Sequence, residues 1–170
     1  VLTRNKIADT MMLESVVRFL FDNIGNVLST KKISDTMNSG GRKIDIRTVE
    51  SYIKSLMNAF IVYQAKRYDI KGEQYLKTLE KYYVVDIGLR YNLLGFRNID
   101  YSHILENVVY LELIRRGYKV YIGKIEENEI DFIAEKPEGI EYFQISASVN
   151  DETTLERELK PLRKIRDSYP

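Results

Sequence analysis

Residues 129–148, EIDFIAEKPEGIEYFQISAS, decide how this chain folds. Two short runs rich in β-branched and aromatic residues flank KPEG, whose Pro137 and Gly139 mark a turn. In the first run, strand alternation predicts Asp131 on one face with Glu129 and Ile133, and Ile130, Phe132 and Ala134 on the other. In the second, Tyr142, Gln144 and Ser146 share a face opposite Phe143, Ile145 and Ala147. If the polar faces coincide, Asp131, Gln144 and Ser146 cluster on neighbouring strands.

Upstream, SHILENVVYLELIRRGY predicts a strong helix, with Ser102 as N-cap and Gly117 as stop. Its Glu106 shares a face with Val109, Tyr110 and Leu113, and proximity to the positive helix end lowers the cost of a carboxylate there. YKVYIG predicts a further strand. Downstream, DETTLERELKPLRKIRDSY predicts a charged helix broken or kinked near Pro161. The order is α-β-β-β-α. The helix can bring Glu106 towards Asp131, Gln144 and Ser146. That is an arrangement of hard oxygen donors for holding Mg²⁺ or Mn²⁺ against a scissile phosphate.

The first hundred residues are organised differently. TMMLESVVRFLFDNIGN carries a helical stripe of Met12, Leu13, Val16, Val17, Leu20, Phe21 and Ile24, ended by Gly25. A shorter helix follows in STKKISDTM, with Ser29 or Thr30 as N-cap. After NSGGRKI, residues Ile46, Val49, Ile53, Leu56 and Phe60 mark a third amphipathic helix. IVYQAKRYDI alternates, turns at Lys71-Gly72 and returns through YLKTLEKYYVVD as a hairpin. Three helices and a two-stranded wing predict a winged helix. Its third helix would offer Arg47, Thr48, Ser51 and Lys54 to a DNA groove, with Glu50 repelling phosphate beside them. Arg42 and Lys43 precede that helix, and Lys66, Arg67 and Lys71 lie along the wing, all suited to phosphate contact. Tyr63, Tyr68, Tyr75, Tyr82 and Tyr83 fall on hairpin strands, where aromatics pack across strands. VDIGLRYNLLGF predicts a short helix between Gly88 and Gly95, and RNIDYS a polar connection. The expected division is 1–97 and 98–170, the second unit incomplete at its C-terminal end.

Composition narrows the chemistry. With 26 basic and 25 acidic residues the formal net charge is +1, yet residues 1–100 carry 16 Lys/Arg against 11 Asp/Glu and the remainder 10 against 14. A basic half followed by an acidic half suggests anionic partners for the first. The absence of cysteine excludes thiol catalysis and disulfides, and His103 alone cannot build a histidine-rich metal site. No apolar run approaches the roughly 20 residues of a membrane helix. No signal peptide is visible, so a soluble cytoplasmic protein without membrane contact is expected. The chain begins at Val and ends at Pro170, which reads as a fragment of a longer protein.

The helix acid, the ID of one strand and the polar-x-polar pair of the next resemble the restriction-endonuclease-like, PD-(D/E)xK fold, an α-β-β-β-α core. LENVVYLELIRRGYKVYIG, EIDFIA, YFQISAS and ERELKPLRKIRDSYP resemble more closely a domain of unknown function found C-terminal to the ATPase core of bacterial and archaeal AAA-type ATP-binding proteins. DTMNSGGRKIDIRTVESYIKSLMNAFIVYQAKRYDIKG and KYYVVDIGLR resemble the winged-helix region preceding it. The resemblance spans residues 10 to 170. It implies an α+β winged-helix domain followed by a nuclease-like domain, attached to a nucleoside triphosphatase. No G-x-x-x-x-G-K-S/T stretch occurs here, so ATP and its Mg²⁺ are expected only in that missing core. Glu106 and Asp131 match the superfamily's first two acidic positions. Gln144 stands where the second strand acid belongs and Ser146 where the lysine belongs. Gln supplies a neutral oxygen and Ser no ammonium, and one lost charge-stabilising group costs about 10²–10³ in rate. The expected reading is therefore a non-catalytic recognition region with a decayed nuclease-like site. Its partner would be nucleic acid, the chain's own ATPase core or another protein. The alternative is a nuclease that uses Mg²⁺ or Mn²⁺ held by Glu106 and Asp131.

Overall fold

A computed structural model describes residues 7, 9–76, 79–96 and 101–168, the last three without their side chains. Among the described residues, six helices and seven strands form a mixed α/β arrangement. Helix α1 (Thr10–Asp22) is capped by Asp9, which accepts from the Met12 N–H, and α2 (Thr30–Ser39) by Ser29, which accepts from Lys32. Helix α3 (Ile46–Asn58) starts at Asp45, whose carboxylate accepts from the Thr48 N–H. Each cap satisfies an amide the first turn leaves without a helical partner. The apolar stripes of all three helices meet in one core around Val16, Leu20, Ile33, Val49 and Leu56. Phe60 departs from its expected place in that stripe. The helix stops at Asn58, and Phe60 sits at a φ of 54° with its ring exposed. Ile46, at the first position of α3, is also exposed.

The expected hairpin divides between two sheets. Strand β1 (Val62–Ala65) pairs antiparallel with β4 (Lys81–Val84) as a two-stranded sheet. The tip, β2 (Arg67–Asp69) and β3 (Gln74–Tyr75), joins β5 (Lys119–Ile125), β6 (Asn128–Lys136) and β7 (Gly139–Phe143) in a five-stranded sheet of order β3-β2-β5-β6-β7. The change of sheet occurs at Lys66, whose carbonyl accepts from the Ile122 N–H as β2 runs parallel to β5. The two-stranded sheet is thus only the base of the expected hairpin. Strands from both sides of residue 98 share one sheet. The RNID connection itself lies outside the described residues.

A β-bulge interrupts β6. Tyr121 pairs with Ile133 and Gly123 with Ile130, so Asp131 and Phe132 together oppose Ile122. The extra residue resets the alternation. Ile130 and Ile133 consequently pack in one cluster with Ile125 and Ile165, while Phe132 and Ala134 pack in another with Tyr83 and Tyr110. This corrects the simple alternation that set Asp131 beside Ile133 and against Ile130. Gly123 permits the arrangement, because a Cβ there would lie 2.7 Å from Ile130 Cβ. Strand β7 is also shorter than expected. It ends at Phe143, so Gln144 and Ser146 lie beyond the ladder.

Helix α4 (Ile87–Leu94) precedes α5 (Tyr101–Arg115), and α6 (Glu152–Ser168) closes the described chain. Ser102 lies inside the first turn of α5 rather than at its cap. Helix α6 is continuous through Pro161, so of the expected break or kink the break does not occur. Asn107 of α5 joins the two halves. Its amide donates to the Val84 carbonyl at 2.9 Å and its oxygen accepts from the Val84 N–H at 2.8 Å. That side chain covers the open edge of β4, an edge that would otherwise present unpaired backbone groups.

Candidate functional site

The acid on α5 meets a partner that sequence reasoning did not supply. Glu106 is 6% exposed, and its Oε1 accepts from Lys81 Nζ at 2.9 Å and from the Tyr83 hydroxyl at 2.5 Å. Lys81, itself 4% exposed, also donates to Glu129 at 2.7 Å. One ammonium from β4 therefore bridges carboxylates on α5 and β6. Burial opposes ionisation of Glu106, but contacts with His103, Lys81 and Tyr83 outweigh it and hold the carboxyl below its usual range. Burial likewise opposes the charge on Lys81, and the two glutamates reverse the effect and raise its pKa. Burial raises that of Tyr83 further, with Glu106 adding to it, so the hydroxyl stays a donor. The other Glu106 oxygen faces His103 Nδ1 at 3.7 Å. Gly25, at a φ of 71°, backs against both: a Cβ there would lie 2.8 Å from His103 Nδ1 and 3.1 Å from Glu106 Oε2.

Asp131 lies beside this ion pair. Its carboxylate accepts from the Ile145 N–H at 2.7 Å, and its own N–H donates to Gln144 Oε1 at 3.4 Å. These bonds stand in for the ladder that β7 abandons at Phe143. Burial pushes the Asp131 carboxyl up to about 6. The Ile145 and Lys81 groups oppose the rise, and Glu106 and Glu129 support it. Gln144 uses its amide to donate to Glu158 of α6 at 3.0 Å. Ser146 does not join the cluster; its hydroxyl donates locally to the Ser148 carbonyl at 2.9 Å.

The arrangement brings Glu106, Asp131 and Gln144 towards one region and leaves Ser146 outside it. A divalent ion needs several hard oxygens free to converge. Here Glu106 Oε1 accepts from an ammonium and a phenol, one Asp131 oxygen from the Ile145 amide, and Gln144 Oε1 from the Asp131 amide. Among the described residues, no group of three His, Cys, Asp or Glu side chains converges so as to hold a metal ion.

Lys81, Tyr83, Asn107 and Glu158 were not singled out for this site by sequence. One signal was present: Lys81 opens KYYVV, an otherwise apolar and aromatic run. A lysine there needs a buried acid, and Glu106 on its apolar helix face is such an acid.

The basic residues predicted for DNA are dispersed in role. Lys43, Arg47, Ser51, Lys54 and Lys66 are exposed. Arg42 instead turns to α1, donating to the Met11 carbonyl at 3.1 Å and to the Ser15 hydroxyl. Thr48 completes the α3 cap with Asp45. Lys71 pairs with Glu126 at 3.4 Å, and Arg67 is half-buried with its Nε sealed from solvent. Among the tyrosines, Tyr68 pairs across strands with Tyr75, and Tyr83 stacks on Tyr110 with ring centres 4.3 Å apart. No helix among the described residues is long and apolar enough to cross a membrane.

Residues 1–100 match the model of a domain of unknown function, DUF8612. An uncharacterised protein of Haemophilus influenzae is 43% identical over 166 residues, covering 98% of this chain and 41% of its own length. An uncharacterised protein of Methanocaldococcus jannaschii is 27% identical over 168 residues, covering 96% of this chain and 37% of its own. The chain thus spans about two-fifths of the length of these relatives. No solved structure matches it.

Proposed function

Since this chain belongs to the DUF8612 family, we propose that it is a non-catalytic recognition region of a larger ATPase of the AAA superfamily. In this reading a winged-helix segment is followed by a restriction-endonuclease-like core whose site has become a structural ion-pair network. The relatives are more than twice as long as this chain, which leaves room for a nucleoside triphosphatase core. Three helices followed by the β1–β4 pair support the winged-helix assignment, and α5, the β5–β7 meander and α6 support the nuclease-like one. The partner is nucleic acid or protein, met by the exposed side of α3.

One observation carries the reading: Lys81 supplies, from within the chain, the positive charge that a metal would bring to Glu106 and Glu129. Displacing it would require a divalent ion to break a buried pair, and losing one member of such a pair typically costs about 3–5 kcal/mol.

Two assays test this. Micromolar protein is titrated against duplex and single-stranded DNA in gel shifts at roughly 50 mM salt, where phosphate contacts are least screened. Binding supports a nucleic-acid partner; its absence directs the reading to protein docking. Plasmid is then incubated with Mg²⁺ or Mn²⁺ and wild-type, Glu106→Ala or Asp131→Ala protein. No cleavage is expected from any of them. Cleavage by the wild type that disappears in both variants would replace this reading with that of a metal-dependent nuclease.

A further inference from the structure

The groove between α3 and the β1–β4 pair has no role in the network around Lys81. It encloses about 380 Å³, a volume within the range of specific ligand sites. Ile53, Met57 and Tyr82 provide apolar surface, and Leu79 forms part of the rim, 43% exposed on backbone with a φ of 69°. Two carboxylates look into it. Glu80 accepts from the Gln64 amide at 2.5 Å and the Tyr82 hydroxyl at 3.1 Å, both neutral donors that leave its charge uncompensated. Glu50 meets the Thr30 hydroxyl, at 3.5 Å. Lys54 stands one turn beyond Glu50 on the same helix, yet among the described residues none of Glu50, Lys54 and Glu80 forms an ion pair.

This charge is the wrong sign for a phosphate backbone. Glu50 and Glu80 flank the space between the third helix and the strand pair, where DNA would bring its own negative charge. An apolar floor with carboxylates at its wall instead suits a side chain that is apolar along its stem and cationic at its tip. Arginine matches best, because its planar fork binds carboxylates in pairs of parallel hydrogen bonds. From this geometry we propose that the groove is the docking site for an arginine-bearing apolar segment of a protein partner. The proposal rests on the reading of the chain as a recognition region and names the class of its partner.

The test uses the whole chain, isotopically labelled, and follows backbone amide shifts by NMR. The probe is a capped hexapeptide, Leu-Arg-Ala-Leu-Arg-Ala, with glutamine and glutamate versions as comparators. Expected shifts centre on Thr30, Glu50, Lys54 and Glu80, with the glutamine peptide binding at least tenfold more weakly and the glutamate peptide not at all. Glu50→Gln and Glu80→Gln, which keep shape and hydrogen bonding, should each weaken the arginine peptide severalfold without changing Tm. Equal binding of all three peptides, shifts elsewhere or no shifts would overturn the proposal. So would duplex DNA perturbing the same four amides. That last outcome removes the arginine partner while leaving the recognition reading standing. The gel-shift and cleavage assays judge that reading separately.

Discussion

Asp131 is held by opposing demands. The Ile145 N–H favours its charged form, while burial and the neighbouring Glu106 and Glu129 favour the neutral one, and the balance raises its pKa to about 6. An unfolded aspartate titrates near 4. Between about pH 4 and pH 6 the folded chain therefore holds more of this proton than the unfolded chain, and the stability Asp131 contributes falls as pH rises through that window. Asparagine cannot ionise, yet its carbonyl can still accept from Ile145. Asp131→Asn should match the wild type near pH 4 and exceed it by about 1–3 kcal/mol at neutral pH. The lowered pKa of Glu106 acts in the opposite sense, but it is present in both proteins and largely cancels in the difference. Urea titrations of the two proteins at several pH values give the comparison, and a difference independent of pH would remove this account. At this scale the acids could be read from sequence because each interrupts an apolar pattern. Lys81 could not be assigned, because only the fold brings β4 against α5 and β6.

At the scale of elements, the three N-terminal helices were legible because each buries one stripe and begins at a residue whose side chain caps it. Their stripes depend on local spacing alone. The strands were less legible for a reason that Lys66 and Asp131 illustrate: a change of sheet and a bulge are set by which strand lies alongside, and local alternation carries no such information. The bulge does leave a mark in the sequence, a glycine inside the β5 pattern. Gly123 has an ordinary backbone conformation, so replacing it tests space rather than strain. Gly123→Ala would press a methyl group against Ile130 and should cost about 1–3 kcal/mol, the usual range for overpacking. Gly40→Ala, whose Cβ would come no closer than 3.4 Å to its neighbours, should be near neutral. Because Asp131 sits in the bulge, Gly123→Ala should also move the Asp131 side-chain pKa in an NMR titration. A destabilised protein with that pKa unchanged would mean the bulge does not position the acid.

Across the whole molecule, the sequence suggested two modules, but the physical links cross residue 98 repeatedly. One hydrophobic cluster takes Ala65 and Tyr83 from the first half, and Tyr110, Ile122 and Phe132 from the second. Ile104 packs back onto the helical core of the first half. Lys81, Tyr83 and Val84 of β4 are bonded to Glu106 and Asn107 of α5. Cutting the chain between residues 97 and 98 would leave Glu106 without Lys81, remove β2 and β3 from the sheet, and uncover the Val84 edge. Leaving one member of a buried pair unpaired costs about 3–5 kcal/mol by itself, a large part of the roughly 5–15 kcal/mol that holds a domain together. The intact chain should therefore melt in a single cooperative transition, followed by circular dichroism. Residues 1–97 and 98–170 expressed separately should show no sharp transition and poorly dispersed amide spectra, and mixing them should restore both features in part. A sharp transition from either piece alone would mean that these contacts join two domains that already fold independently.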